Sequence, residues 1–148
     1  MAFTFAYRLG GGSPTVAEFF VKDTETLTVG DLVNVESGEV DLGATNDTDF
    51  AGVLVGVAPG HLARMTNPGV ISGVDSTTKV RVIIDRDAVY SVADSTARAA
   101  GATLDIAGAT GAMTIATSSS VDVVCVETST AAEPTLVMIA DGEHYLDA

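Results

Sequence analysis

The stretch Gly30–Gly56, "GDLVNVESGEVDLGATNDTDFAGVLVG", decides the fold class. Within it Val33 and Val35 alternate with Asn34 and Glu36, and Val40 and Leu42 alternate with Glu39 and Asp41. A period of two puts each set of side chains on one face of a strand. Ser37-Gly38 between the two runs predicts a tight hairpin turn. A polar loop, "ATNDTD", leads into "FAGVLVGVA", where Val53, Val55 and Val57 form one face and Gly52, Leu54 and Gly56 the other. Two glycines two apart predict a bulge or the close approach of another backbone. The stretch holds no His, Cys, Lys or Arg. It is a wall, built from strand pattern and turns.

The same pattern runs outward in both directions. "VAEFFVK" (Val16–Lys22) predicts a strand after the Gly10-Gly11-Gly12-Ser13-Pro14 breaker. "TTKVRVIIDRDAVYSV" reads as one long strand, with Val80, Val82 and Ile84 on one side and Lys79 and Arg81 opposite. "ATLDIAG", "AMTIATS", "VDVVCVET" and "PTLVMIA" are four further short strands, punctuated by Gly, Ser or Pro. One short helix is expected over Ser95–Ala100, capped by Asp94 or Ser95 and ended by Gly101. Strands at this spacing predict an all-β fold, a compact β-barrel or β-sandwich with short hairpins. A faint echo links "LTVGDLVNVESGEVDLGAT" to "ARAAGATLDIAGATGAMTIAT", each running Gly, strand, Gly turn, strand.

Length and composition bound the rest. A chain of 148 residues makes one domain, here 15–148, preceded by an arm and Gly-rich joint over 1–14. Such a domain buries roughly two-thirds of its unfolded surface. Hydrophobic residues make up 47% but aromatics only 5%, so Val, Ala, Leu and Ile must fill the interior. Twenty acids against seven bases give a net charge of −13. That surface repels phosphate backbones and anionic lipid, so neither nucleic acid nor membrane is expected as a direct partner. No run approaches the roughly 18 apolar residues that cross a bilayer. "MAFTFAYRLGGG" lacks the long apolar core of a signal peptide, so synthesis in the cytoplasm is expected.

Reactive groups are few. Cys125 is the single cysteine, set in an apolar strand with acidic flanks, and reads as a buried hydrophobe and not as a nucleophile. "VDST" (Val74–Thr77) and "ADST" (Ala93–Thr96) carry Asp-Ser as the paired Asp-Ser/Thr-Gly loops of aspartic proteases do, but both lack the Gly that those loops need. "NDTD" beside Asp41 lacks the spacing of a calcium loop and reads as a solvated turn. His61 and His144 have no ligand partner at useful spacing and read as surface or interface histidines. "RLGGGSP" lacks the Lys-Ser/Thr of a phosphate loop. No catalytic, metal or cofactor residues are expected.

Taken in order, "GDLV", "FAGVLVG", "GATLDIAGATGAMT" and the closing "PTLVMI" resemble the small β-rich head decoration, or cement, proteins of tailed bacteriophages. The resemblance covers most of residues 22–140. It implies a virion protein on the capsid exterior that binds the major capsid protein, braces the shell against genome pressure and forms homo-oligomers, trimers among them. A tail or neck structural protein is the first alternative. A carbohydrate-binding or adhesion module is weaker, since sugar sites usually display aromatic platforms.

The N-terminal strand carries the most specific expectation. "MAFTFAYRL" places Phe3, Phe5 and Tyr7 on one side, with Arg8 at the end, as a candidate interface. Either this is the first strand of the domain's own sheet, or the Gly joint frees it to add to a neighbour's sheet. The second reading is the one taken forward, because an aromatic stripe left in water costs roughly 25 cal/mol per Å².

Overall fold

The computed structural model describes residues 2–66, 69–73, 77–117 and 120–147. The all-β expectation holds. Among the described residues, fourteen strands form a closed five-stranded barrel, a six-stranded sheet and a small three-stranded sheet.

The barrel runs in the order β2, β5, β4, β6, β9, with β9 closing back onto β2. Its strands are β2 (Val16–Val21), β4 (Leu32–Glu36), β5 (Glu39–Leu42), β6 (Phe50–Val57) and β9 (Lys79–Ile83). The β4–β5 hairpin turns on Ser37 (φ 53°) and Gly38 (φ 81°), with Glu36 opposite Glu39. Two consecutive positive φ angles make the type I′ turn whose twist matches a hairpin. The sheet runs β1 (Phe3–Arg8), β10 (Ala88–Val92), β14 (Thr135–Ile139), β13 (Val123–Cys125), β11 (Thr103–Ala107) and β12 (Thr114–Thr117). The small sheet is β3 (Thr26–Thr28), β8 (Val70–Ser72) and β7 (Met65–Thr66).

Two cores follow from this layering. Val21, Val33, Ala51, Leu54, Val80 and Val82 fill the barrel interior. Leu32, Phe50, Val53 and Ile83 leave the same strands by the opposite face and pack under the six-stranded sheet, against Tyr90, Leu104 and Ile106 among others. Strands covered on both faces need apolar side chains on both, which is why β6 reads as an unbroken hydrophobic run. Gly52 sits where the two layers meet. Its φ is +149°, and a Cβ there would lie 1.9 Å from the Ile83 carbonyl oxygen. Ladder irregularities flank it, between Val33 and Asn34 of β4 and between Leu54 and Gly56 of β6. The bulge and close approach expected from the paired glycines are both present.

Buried carboxylates hold the layers together. Asp31 has no exposed surface; its Oδ1 accepts the Gly111 N–H (2.9 Å), and its Oδ2 accepts the Thr110 hydroxyl (2.7 Å) and the Thr28 N–H (2.8 Å). Asp122, also buried, accepts from the N–H groups of Asn46 (3.2 Å) and Ile106 (3.0 Å). Thr45 donates its hydroxyl to the Ile106 carbonyl at 2.5 Å. A buried charge is tolerated only when its lone pairs are met by donors. Thr110 and Gly111 for Asp31, and Asn46 for Asp122, reach across from the other layer.

Three expectations are corrected. The long strand over 79–92 is two strands, β9 in the barrel and β10 in the sheet, because the chain crosses between layers at Ile84–Asp87. Asp85 and Asp87 turn their carboxylates to the N–H groups of Thr15 (2.6 Å) and Gly10 (2.9 Å) there. No helix forms over Ser95–Ala100. Asp94 does accept the Thr96 N–H (3.3 Å), but its other oxygen pairs with Arg98 Nε at 2.7 Å, and Arg98 is drawn into a bridge with Ser129. The two short helical turns are 3-10 in type, at Leu62–Arg64 and Tyr145–Asp147. The N-terminal arm is not free: β1 pairs antiparallel with β10 of its own chain.

Candidate interaction surface

The expected interface residues do not act as a set. Phe3 is 1% exposed and belongs to the core beneath the sheet, and Phe5 packs against the same core. Phe5 lies opposite Tyr90 and Tyr7 opposite Val89, so Ala6 is an extra residue in a bulge. One inserted residue reverses the alternation. Tyr7 therefore leaves the core face, and its hydroxyl donates to Glu127 at 2.7 Å. Arg8 Nε lies 3.0 Å from Asp87 and 3.6 Å from Asp85. The Gly joint is tied at both ends by those same aspartates. An aromatic stripe had two ways to avoid water, and the chain takes the intramolecular one.

The remaining candidates are placed as follows. Cys125 is buried in the core beneath the sheet, its Sγ 3.1 Å from the Glu127 carbonyl, and burial pushes its thiol pKa up. A thiol held protonated is a poor nucleophile. Burial works to raise the Asp94 carboxyl, but Arg98 and the Thr96 N–H outweigh it and hold the pKa below the usual range. Asp94 is thus one half of a sheltered ion pair. Asp75 of "VDST" lies outside the described residues. His61 Nδ1 accepts the Lys79 N–H at 3.2 Å. His144, expected at the surface, is 2% exposed: burial depresses its pKa, and its Nδ1 accepts the Leu146 N–H at 3.2 Å. Among the described residues, no three of His, Cys, Asp and Glu gather as a metal-binding group.

What stands out instead is the distribution of cations. Four of the seven bases are ion-paired: Arg8 with Asp85 and Asp87, Lys22 with Glu36 and Asp41, Arg86 with Asp147, and Arg98 with Asp94. The other three are Arg64, Lys79 and Arg81, which have no ion pair among the described residues, and they share one side of the barrel. Val80 and Val82 point into the barrel core, so Lys79 and Arg81 of the same strand point out, and the exposed Glu18 of β2 lies opposite Arg81 on that outer face. Phe20 lies opposite Lys79 on β2, with the ammonium 5.0 Å from its ring centroid. The contact of His61 with Lys79 brings the Leu62–Arg64 turn alongside. Three large apolar side chains are exposed on this face: Phe20 at 41%, Val55 at 43% and Leu62 at 70%. Exposed apolar area flanked by Arg64, Lys79 and Arg81 against a single acid, Glu18, is the chemistry of a docking surface.

The opposite side of the barrel is acidic. Val33, Val35 and Val40 point inward, leaving Glu36, Glu39 and Asp41 on the outer face of the β4–β5 hairpin. Asp41 is pushed up to about 6, first by burial and then by the charge of Asp47, with Glu36 and Glu25 adding to it and Lys22 opposing. Sequence reasoning missed this polarity. The bases are visible in the sequence, but which of them are already neutralised is decided by long-range pairing.

No protein-family model matches the chain, and no curated protein matches it either. Function must therefore be argued from the chain itself.

Proposed function

We propose that this chain is a virion structural protein: a cement protein that binds the exterior of a tailed-phage head, contacts the major capsid protein and stabilises the shell. The observation that carries the reading is where the resembling motifs lie. Asp31 of "GDLV" accepts hydrogen bonds from Thr110 and Gly111, at the tip of "GATLDIAGATGAMT". Met113 of that same stretch sets its Sδ 3.3 Å from the Leu32 N–H. Gly52 of "FAGVLVG" makes the close approach to Ile83. The resemblance thus rests on the Asp31 and Met113 joints between barrel and sheet and on a close strand contact within the barrel, so what it reports is an architecture and not a set of solvent-facing turns.

A locked two-layer body suits a bracing role. Load on one layer passes to the other through buried hydrogen bonds, and the edge strands β1 and β12 offer backbone groups for strand addition by a neighbour. The proposal assigns the chain no catalytic step, metal or cofactor. The test is cosedimentation of the purified protein with capsids assembled from the major capsid protein encoded nearest to it. Binding to mature, expanded capsids but not to unexpanded shells is the expected result. Failure to bind any head assembly, with binding to tail tubes, would transfer the protein to the tail.

A further inference from the structure

We propose that the β2–β9–β6 face of the barrel is one half of a head-to-tail interface, and that its occupant is the acidic β4–β5 face of a second copy of this chain. This specifies the self-association part of the reading above, and it is tested on purified protein alone. Its failure therefore leaves capsid binding untouched.

The argument begins with the strand order. In a closed ring of β2, β5, β4, β6 and β9, the β4–β5 pair lies across the barrel from β9. Lys79 and Arg81 project from one side, and Glu36, Glu39 and Asp41 from the other. Opposite charges on opposite sides of one body attract copies in series. A two-fold contact between like faces would instead set three bases, Arg64, Lys79 and Arg81, with one acid, Glu18, against the same net positive charge. An interface between unlike patches is heterologous and closes into a ring or continues as a chain.

The apolar component favours a protein partner. Phe20, Val55 and Leu62 are three of the six exposed large hydrophobic side chains of the described residues, and they stand on the basic side. Burial of that surface supplies affinity, while the charges set partner and orientation. A nucleic acid would meet the same cations, but a chain of net charge −13 repels it at every longer distance. The acidic hairpin is matched in charge and is present in every copy. Among the described residues its ion-paired cation is Lys22, shared between Glu36 and Asp41 at 3.3 and 3.8 Å.

The test is sedimentation velocity on the full chain and on two charge-reversed variants, Lys79→Glu/Arg81→Glu and Glu36→Lys/Glu39→Lys, with circular dichroism to verify folding. The wild type should associate at low ionic strength and dissociate as salt rises. Each variant alone should lose association by a factor of about a hundred or more, since like charges then face each other. A mixture of the two variants should recover it, because the reversed faces complement one another. Leu62→Glu, at a fully surface position, gives the same loss without altering either strand. A wild type that stays monomeric at every concentration and salt would overturn the proposal, and so would association that survives both variants. Recovery failing in the mixture would also overturn it, by showing that the two faces do not meet.

Discussion

The hairpins β4–β5 and β11–β12 are written in similar sequence and live in different surroundings. Both run Gly, strand, turn, strand. In the first, the turn is Ser37-Gly38, both with positive φ, and nothing lies within 4 Å of where a Gly38 Cβ would be. Its tip is free, and both its strands are paired on their outer sides within the barrel. In the second, the tip carries Thr110 and Gly111, gripped by Asp31 from the other layer, while β12 is a sheet edge. A turn of two residues needs no outside support, whereas a longer one is fixed by a partner. The barrel is therefore closed in its own right, and the sheet depends on contacts from elsewhere in the chain.

That dependence can be broken most severely at the N-terminus. Deleting Met1–Leu9 removes the strand that covers β10 and takes Phe3 from the core; the cost expected is at least about 4 kcal/mol, read as a large drop in melting temperature. An unchanged melting temperature would restore the free-arm reading. Asp31→Ala comes next. It leaves the donors of Thr28, Thr110 and Gly111 without their acceptor, and should cost about 3 kcal/mol in a denaturant titration. Gly38→Ala, at the free tip, meets no neighbour and should cost only the strain of its positive φ, about 1 kcal/mol.

Cys125→Ala acts inside the sheet layer without touching either tip. The loss of a small buried group should cost about 1–3 kcal/mol and leave association and binding intact. Loss of function in a variant that stays folded would make Cys125 more than a core residue.

The smallest effect belongs to the outer face of the first hairpin. Asp41 has a folded-state pKa of about 6, above its unfolded value of 3.8. The folded state then binds the proton more tightly, so this group's stabilisation is fully present below the unfolded value and is lost as pH rises through about 6. Its side chain is 19% exposed, which tempers the effect to about 1–2 kcal/mol. Stability should rise between pH 7 and pH 5 in the wild type, and that component should vanish in Asp41→Asn. A wild type and variant with parallel pH profiles would contradict the assignment.

Most strand positions were legible because period-two patterns are local. So were the Ser37-Gly38 turn and the close approach at Gly52. What was not legible depended on partners far away in sequence. The run from Lys79 to Val92 is interrupted by Asp85-Arg86-Asp87, and what the sequence alone did not show is that Asp85 and Asp87 pair with the N-terminal segment and split it into two strands. The helix over Ser95–Ala100 had its cap and its terminal glycine, but Arg98 paired with Asp94 and Ser129 instead of turning. The aromatic stripe of Phe3, Phe5 and Tyr7 was real as a pattern and was broken by one bulged residue. The basic face was hidden for the same reason: among the described residues, Arg64, Lys79 and Arg81 differ from the other bases in having no ion pair.

The central claim is that this locked body braces a shell, and the most direct measurement is genome release from filled heads on heating. Heads stripped of the protein should release DNA at a lower temperature than native heads, and adding back the purified wild-type chain should restore the native value. Asp31→Ala, with the layers uncoupled, should restore less. Heads that release DNA at the same temperature with and without the protein would contradict the account.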